Sequence, residues 1–142
     1  MTIQVILNTK GANVFAIDMS KSVRDALQLM DQHQIGALVV TGTKDRVGIF
    51  TERDVMRAIA QHDAKCLTEP VEDHMTTRPQ VITPETSVEE AMAIMTERRF
   101  RHLPVMADNT LCGIISIGDL VNYRIRTTEA HAEALKEYIT TG

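Results

Sequence analysis

Residues 48–54 read Gly-Ile-Phe-Thr-Glu-Arg-Asp, and residues 113–119 repeat this pattern as Gly-Ile-Ile-Ser-Ile-Gly-Asp. The match extends outward from both motifs, because residues 17–60 align with residues 82–125 at a constant shift of 65 positions without a gap. Two copies are too few for a solenoid, which needs about three or more repeats. The sequence therefore predicts two copies of one small unit that bury one face against each other.

Each copy predicts the element order β-α-β-β-α, and the fold class is therefore α+β. After a short apolar start, apolar residues at i, i+3, i+4 and i+7 favour an amphipathic helix, first from Val23 to Met30 and then from Val88 to Met95. Two short apolar runs separated by turn formers at 42–45 and 108–109 predict a hairpin. Its strands are expected at 37–40 and 47–50, or at 103–106 and 111–115. A second helix is expected over 54–61 and over 119–126.

The two repeats are placed at residues 8–65 and 73–130. The stretch between them, residues 62–79, is polar and holds two prolines, which is typical of a linker. A tail at residues 131–142 has apolar residues on one helical side. It lacks a basic face, so we expect a helix that packs or dimerises rather than one that binds a membrane.

Composition narrows the class of protein. The chain is 44% apolar and 24% charged, as in globular proteins, and it holds no run of about 18 apolar residues that could cross a bilayer. The N-terminus does not read as a signal peptide. Cys66 and Cys112 lack metal-ligand spacing, so they are expected to be reduced thiols of a cytoplasmic protein. An acidic chain with 4% aromatic residues and no Trp argues against nucleic-acid binding.

The repeated motif suggests chemistry at the start of a helix. Thr51 and Ser116 are placed as N-caps, with Asp54 and Asp119 on the same helical face three residues later. The positive end of the helix attracts phosphate, and a carboxylate can accept hydrogen bonds from ribose hydroxyls, so the pattern favours a nucleotide site. The alternative is a plain helix start, because Ser/Thr-x-x-Asp occurs in many helices without a ligand.

Other catalytic or metal-binding patterns are missing from the sequence. The five histidines show no HxxxH or HExxH spacing, so no metal site is expected. No nucleophile and base pair stands out, so the chain is not expected to be an enzyme. Arginines such as Arg53 and Arg101 cluster beside the motifs, which favours a small anionic ligand.

Together with Ile-Gly-Ala-Leu-Val-Val at 35–40 and Arg-Phe-Arg-His-Leu-Pro-Val at 99–105, these motifs resemble the cystathionine-β-synthase (CBS) domain family in a tandem arrangement. The resemblance implies two β-α-β-β-α repeats packed as a pseudo-twofold pair with two clefts, usually as a homodimer. It implies that adenosine ligands bind there: AMP, ADP, ATP, NAD(H) or S-adenosylmethionine.

The resemblance also implies the residues that would bind the nucleotide. The motif aspartate would hold the ribose, the Thr or Ser would help to hold the phosphate, and backbone at the start of each copy would meet adenine. Carried onto this chain, the first copy contributes Ala16, Ile17, Asp18, Gly36, Ala37, Leu38, Thr51, Arg53 and Asp54. The second copy contributes Val81, Ile82, Thr83, Pro84, Arg101, His102, Leu103, Pro104, Ser116, Gly118 and Asp119. Asp18-Met19 stands where the second copy has Thr83-Pro84, which is the commoner family pattern.

Three functional hypotheses follow. The first is a regulatory module that binds an adenine nucleotide in the clefts between the repeats and acts as an energy or redox sensor in signal transduction. The second is an interaction or scaffold protein whose clefts bind nothing. The third is an enzyme such as inosine-monophosphate dehydrogenase, which contains CBS pairs; its catalytic (β/α)₈ barrel needs about 250 residues and cannot fit here.

Overall fold

A computed structural model describes residues 1–11, 13–43 and 47–141 of the chain. The elements follow in the order α1 (Ile3–Lys10), β1 (Ala16–Asp18), α2 (Val23–His33), β2 (Ala37–Thr41), β3 (Gly48–Thr51), α3 (Glu52–His62), α4 (Val88–Arg98), β4 (His102–Ala107), β5 (Thr110–Ser116) and α5 (Ile117–Thr141). They form two compact units. The first-repeat unit is Asn13–Gln80, and the second-repeat unit joins Met1–Ala12 to Val81–Gly142.

The first-repeat unit has a three-stranded sheet in the order β1-β2-β3. Strand β1 runs parallel to β2, with Ile17 opposite Val40, and β2 runs antiparallel to β3, with Leu38 opposite Phe50. Helix α2 begins at a capping box in which the Ser22 hydroxyl accepts a hydrogen bond from Asp25 N. Its predicted apolar stripe packs on the sheet, and the buried core comprises Ile17, Val23, Ala26, Met30, Leu38, Val40, Phe50, Val55 and Val71.

The second-repeat unit follows the same plan at the predicted shift. Strands β4 and β5 are antiparallel with Leu103 opposite Ile115, and Ile82 forms a parallel bridge to Val105. Each of these pairs is the image of a first-repeat pair 65 residues earlier. The predicted α+β fold of two β-α-β-β-α repeats is confirmed, and the buried core comprises Ile3, Ile6, Leu7, Ile82, Val88, Ala91, Met95, Leu103, Val105, Ile115 and Leu120.

Helix α1 was not expected from the repeat. Its buried residues Ile3, Ile6 and Leu7 pack into the core of the second-repeat unit, far along the chain. Backbone hydrogen bonds secure its start, from Ile3 N to Thr86 O at 2.9 Å and from Gln4 N to Pro84 O at 3.0 Å. The compact unit is therefore discontinuous in sequence, whereas the predicted repeat at 73–130 is continuous.

The prediction of a linker at residues 62–79 is wrong, because this stretch is folded into the first-repeat unit. Two 3₁₀ turns, Asp63–Thr68 and Val71–Asp73, bury Cys66 and Val71 completely. Thr76 then pairs with Ile49 of β3 through two backbone hydrogen bonds of 2.9 and 3.0 Å. The stretch is polar on average, but tight 3₁₀ turns bury two of its apolar residues, Cys66 and Val71.

The hairpin and the last helix differ in detail from the prediction. The turn residues Lys44 and Asp45 lie outside the described residues, whereas Asp108 and Asn109 adopt left-handed φ values of 49° and 62°, as a tight hairpin turn requires. Helix α5 runs from Ile117 to Thr141, so the predicted second helix and tail are one element. Within the described chain, none of the helices combines the length and apolar content that crossing a bilayer requires.

Candidate functional site

The Ser116–Asp119 turn connects β5 to α5 in the second-repeat unit. The Ser116 hydroxyl accepts a hydrogen bond from Asp119 N at 3.1 Å, and Asp119 Oδ2 accepts one from Ser116 N at 2.8 Å. These two bonds form a reciprocal capping box that satisfies two backbone N–H groups. The helix-start alternative therefore describes a real structural role of the motif, which any ligand-binding role would have to share.

Asp119 is also paired with a cation. Lys10, in the last turn of α1, places Nζ 2.7 Å from Asp119 Oδ2 and donates to Ile114 O at 2.8 Å. Partial burial raises the pKa of Asp119, but hydrogen bonds from Lys10 and Ser116 and the charge of Lys10 outweigh this effect, so the pKa lies below its ordinary value of 3.8. With a side chain 23% exposed, Asp119 is an ionised carboxylate that solvent can reach.

In the equivalent turn of the first-repeat unit, the motif aspartate is buried and hydrogen-bonded within the protein. Asp54 is 3% exposed, and its Oδ2 accepts from Thr51 N at 2.9 Å and from the Thr51 hydroxyl at 3.2 Å. Its Oδ1 accepts from the Thr76 hydroxyl at 3.1 Å and from Arg57 Nη1 at 3.4 Å. Both oxygens of Asp54 are thus engaged inside the protein, so a ribose hydroxyl could bind there only by displacing Thr76 or Arg57.

Each turn is joined to the start of the first strand of its hairpin, which is β2 in the first-repeat unit and β4 in the second. The first helical N–H is bound by a carbonyl just before that strand, from Glu52 N to Gly36 O at 3.1 Å and from Ile117 N to Arg101 O at 2.8 Å. In the same way, Ala37 lies opposite Thr51 and His102 lies opposite Ser116. The structure therefore brings the predicted residues Gly36–Leu38 and Arg101–Pro104 to the motif of their own unit.

The predicted adenine segments lie elsewhere on the sheets. Ala16–Asp18 pairs with Val39–Thr41, which is the end of β2 away from Thr51. Ile82 N donates to Pro104 O and Ile82 O accepts from Met106 N, so the backbone of Ile82 is engaged in the sheet. Thr83 N donates to the Thr86 hydroxyl at 3.0 Å. These segments are beside the motif strands, but several of their backbone groups already have partners.

Asp18 is held in a local turn. Its Oδ2 accepts hydrogen bonds from the Ser20 hydroxyl and from Ser20 N, and these bonds lower the pKa of Asp18 below its ordinary value. This departure from the Thr-Pro pattern therefore has a structural use, which is to fix the chain as it enters α2.

The predicted site residues differ in how far they are exposed to solvent. The exposed residues are Ala16, Asp18, Arg53, Val81, Thr83, Arg101 and Gly118. The half-buried residues are Gly36, Thr51, His102, Ser116 and Asp119. The buried residues are Ile17, Ala37, Leu38, Asp54, Ile82, Pro84, Leu103 and Pro104. The motif aspartate is accessible in the second-repeat unit, whereas in the first-repeat unit Thr51 and Arg53 are accessible and Asp54 is buried.

Three residues that contact the motif aspartates were missed by the sequence reasoning: Lys10, Arg57 and Thr76. Arg57 could have been found, since it lies three residues after Asp54 on the same helix face. Lys10 and Thr76 reach their partners across 109 and 22 residues, and no spacing in the sequence marks them.

A pocket of about 390 Å³ in the first-repeat unit includes the predicted residue Gly36 in its lining but neither motif aspartate. It opens between the end of α2 and the start of α3 and is lined by Leu27, Met30, Asp31, Gln34, Ile35, Gly36, Glu52 and Val55. The two carboxylates in this lining would repel a phosphate, so the pocket does not suit a nucleotide's anionic end.

A comparison with protein families finds two matches to the CBS domain, at residues 7–61 and 71–126. Among curated proteins, the mitochondrial CBS domain-containing protein CBSX3 of Arabidopsis thaliana is 35% identical over 99% of this chain and 73% of its own length. The CBS domain-containing protein YhcV of Bacillus subtilis is 32% identical over 81% of each chain.

Solved structures agree with this result. A CBS-domain-containing protein from Agrobacterium tumefaciens superposes with a TM-score of 0.83 and 38% identity, covering 87% of this chain and 99% of that one. CBSX2 in complex with AMP gives a TM-score of 0.72 and 26% identity over 89% and 98% of the two chains. A hexameric CBS-CP12 protein from cyanobacteria gives 0.74 and 32% identity over 85% and 69%.

Proposed function

This chain belongs to the CBS-domain family, a family of regulatory modules, and on that premise we propose that it binds an adenine nucleotide at the Ser116–Asp119 turn of the second-repeat unit. The observation that carries the proposal is the contrast between the two motif aspartates. Asp119 is ionised and reachable, whereas Asp54 is buried with both oxygens engaged.

The charges around Asp119 suit a nucleotide. The carboxylate would accept hydrogen bonds from ribose hydroxyls, which are stronger than neutral ones because the acceptor is charged. Lys10 Nζ, the exposed Arg101 and the start of α5 supply positive potential for a phosphate. The first-repeat unit has Gly36 where the second has Arg101, but it also carries the exposed Arg53 and Arg57 near its own motif. The expected preference for the second-repeat turn therefore rests on the accessibility of Asp119.

The predicted ligands were AMP, ADP, ATP and NAD(H), and the AMP complex of CBSX2 supports AMP first. A monophosphate also matches the small number of cationic groups beside Ser116. An energy or redox signal would follow from which of these nucleotides binds best, and a bound nucleotide would act on a partner only by favouring one of two protein states.

The chain is proposed to act without catalysis, as a regulatory protein in signal transduction. In the described residues, the motif side chains bind one another or Lys10, Arg57 and Thr76, and the polar groups accessible beside them suit ligand binding. Free Cys66 and Cys112 support the proposed cytoplasmic location. The alternative of a scaffold with empty nucleotide sites predicts that no nucleotide raises the melting temperature.

We also propose that the chain forms a homodimer through an apolar stripe on α5. Ile117, Val121 and Ile125 are spaced four residues apart, share one helical side and are all exposed. A row of large apolar side chains is typical of a surface that another protein covers. The hexameric CBS-CP12 neighbour shows that related chains self-associate.

The nucleotide proposal is tested by calorimetry and thermal unfolding with AMP, ADP, ATP, NAD⁺, NADH and GTP. Asp119→Asn removes the charge but keeps an acceptor for the capping box, and it should weaken binding about tenfold or more, since a charged hydrogen bond contributes about 1.5–3 kcal/mol. Asp108→Asn is the matched control, because Asp108 is an exposed turn residue with left-handed φ that Asn tolerates.

The outcomes separate the alternatives. Weakened binding in Asp119→Asn, with wild-type binding in Asp108→Asn and Asp54→Asn, supports the second-repeat site. Loss in Asp54→Asn alone would move the site to the first-repeat unit. Binding of no nucleotide by the wild type would refute the sensor and favour the scaffold.

A further inference from the structure

A cluster of three metal-binding side chains lies in the segment that follows α3. His62 ends the helix, Glu69 follows the first 3₁₀ turn and His74 follows the second. One ligand atom from each residue lies within 4.8 Å of the other two. The sequence spacing gave no sign of this group, because two 3₁₀ turns, rather than one regular helix, bring the residues together. We call it the 62–69–74 cluster.

Two atoms of the cluster, Glu69 Oε1 and His74 Nε2, are buried without a hydrogen-bond partner in the described part of the chain. His62 Nδ1 and His74 Nε2 lie 3.3 and 3.5 Å from Glu69 Oε1. The His74 side chain is only 7% exposed. A buried polar atom left without a partner is energetically unfavourable. This arrangement therefore calls for a further partner.

The two separations from Glu69 Oε1 match those of ligands around one ion, and all three atoms lie within 4.8 Å of one another. Zn²⁺ binds His nitrogen and carboxylate oxygen at about 2.0–2.2 Å in tetrahedral geometry, which places neighbouring ligand atoms about 3.3–3.6 Å apart. The two imidazole rings are perpendicular, with centroids 5.3 Å apart, so they do not stack on each other. Two imidazoles and one carboxylate form a ligand set that Zn²⁺ and similar divalent ions prefer.

We propose that His62 Nδ1, Glu69 Oε1 and His74 Nε2 bind one divalent first-row transition-metal ion, with Zn²⁺ as the preferred ion. His62 is 43% exposed, so a fourth position can face solvent and take a water molecule. The positions 65 residues later hold Thr127, Ala134 and Ile139, so the site belongs to the first-repeat unit and is not a product of the repeat.

The ion would hold the chain between α3 and the motif aspartate of the first-repeat unit. Glu69 O accepts a hydrogen bond from Val23 N at the start of α2, and the segment beyond His74 leads to Thr76, which donates to Asp54. A metal that joins His62, Glu69 and His74 would fix this route and stabilise the first-repeat unit, because an ion that binds only the folded chain favours folding.

The test is titration of tag-free, EDTA-treated full-length protein with ZnCl₂ alone, followed by calorimetry and by metal analysis after gel filtration. The wild type should bind one Zn²⁺ per chain, and its melting temperature should rise with Zn²⁺ concentration. Replacing only a neighbour of a metal ligand typically costs about 10–100-fold in affinity, so loss of a ligand in His62→Ala or Glu69→Gln should cost about 100-fold or more.

The control is His131→Ala, which removes an exposed histidine on α5 outside the cluster and should bind Zn²⁺ as the wild type does. His62 is partly exposed and Glu69→Gln is isosteric, so both variants should fold, and circular dichroism checks this. Co²⁺ provides a second readout, since tetrahedral Co²⁺ absorbs strongly in the visible range. Absence of saturable Zn²⁺ binding, or equal affinity in His62→Ala, Glu69→Gln and His131→Ala, would overturn the proposal.

Discussion

Asp54 and Asp119 occupy the same position of the repeat, yet their surroundings give them different capacities. Both close a capping box with the hydroxyl residue three positions earlier. Thr76 and Arg57 then enclose Asp54, whereas Lys10 approaches Asp119 from a side that solvent also reaches. The motif is therefore a buried, hydrogen-bonded helix start in the first-repeat unit and the proposed ligand site in the second-repeat unit.

The contact between Lys10 and Asp119 should contribute stability that depends on pH. Because the pKa of Asp119 is lower in the folded chain than its ordinary 3.8, this contribution is complete above that value and is lost as the pH falls through the folded pKa. Lys10→Met should therefore destabilise the protein at pH 7 by about 0.5–1 kcal/mol, as expected for a partly exposed pair. Urea unfolding between pH 7 and pH 3 measures this difference.

Lys65→Met is a suitable control for that experiment, because Lys65 is exposed in the first-repeat unit. Its effect should be small and independent of pH. A Lys10→Met effect that stays constant down to pH 3 would mean that the lost hydrogen bond to Ile114 O, rather than the charge pair, accounts for the stability.

The residues of the candidate site could be predicted only where their contacts are local. Ser116 and Asp119 lie three residues apart, so the spacing itself places them on one helix turn. Lys10 could not be inferred, since its contact with Asp119 depends on α1 packing in the same unit as β5. The proximity of Glu69 and His74 could not be inferred either, because it depends on 3₁₀ turns that the apolar periodicity of the sequence does not predict.

At the scale of elements, the segment from Asp63 to Thr76 acts as part of the first-repeat core. Val71 is fully buried, its N–H donates to Lys21 O at 2.7 Å, and Val23 N donates to Glu69 O. A polar stretch can therefore anchor a helix and a strand when a few apolar residues in it face inward. The helices and hairpins of both repeats were predictable because their apolar periods are regular over several turns or strand residues.

We expect Val71→Ala to destabilise the protein by about 2 kcal/mol, because it removes two buried methyl groups and leaves a cavity. Glu72→Ala is the matched control, since the adjacent Glu72 is exposed and should change stability by about 0.5 kcal/mol or less. Chemical unfolding of both variants measures the difference. Equal and small effects would show that this segment behaves as the linker that its composition suggested.

At the scale of the whole molecule, the two units differ in whether they are formed by one continuous segment of the chain or by two. The first-repeat unit is one continuous stretch, whereas the second-repeat unit recruits α1 from the other end of the sequence. Ile3, Ile6 and Leu7 are buried in the same core as the apolar stripe of α4. Alignment of the repeats could not predict this, because α1 lies outside the two matched windows of sequence.

The exposed stripe on helix α5 is the proposed contact with a second copy of the chain. Ile117, Val121 and Ile125 leave a row of branched apolar side chains on one side of the helix, and the burial of such a row is favourable by about 25 cal/mol for each Å² removed from water. A charge placed in the middle of that row would have to lose its water on association.

Val121→Glu should therefore convert a homodimer to monomers while leaving the fold of each chain intact. Asn122→Glu is the matched control, because it adds the same charge one residue later on the same helix, where Asn122 is already polar and exposed. Light scattering after gel filtration should give twice the chain mass for the wild type and Asn122→Glu, and a single chain mass for Val121→Glu. If all three proteins have the same mass, the α5 stripe is not the interface, whatever assembly they form.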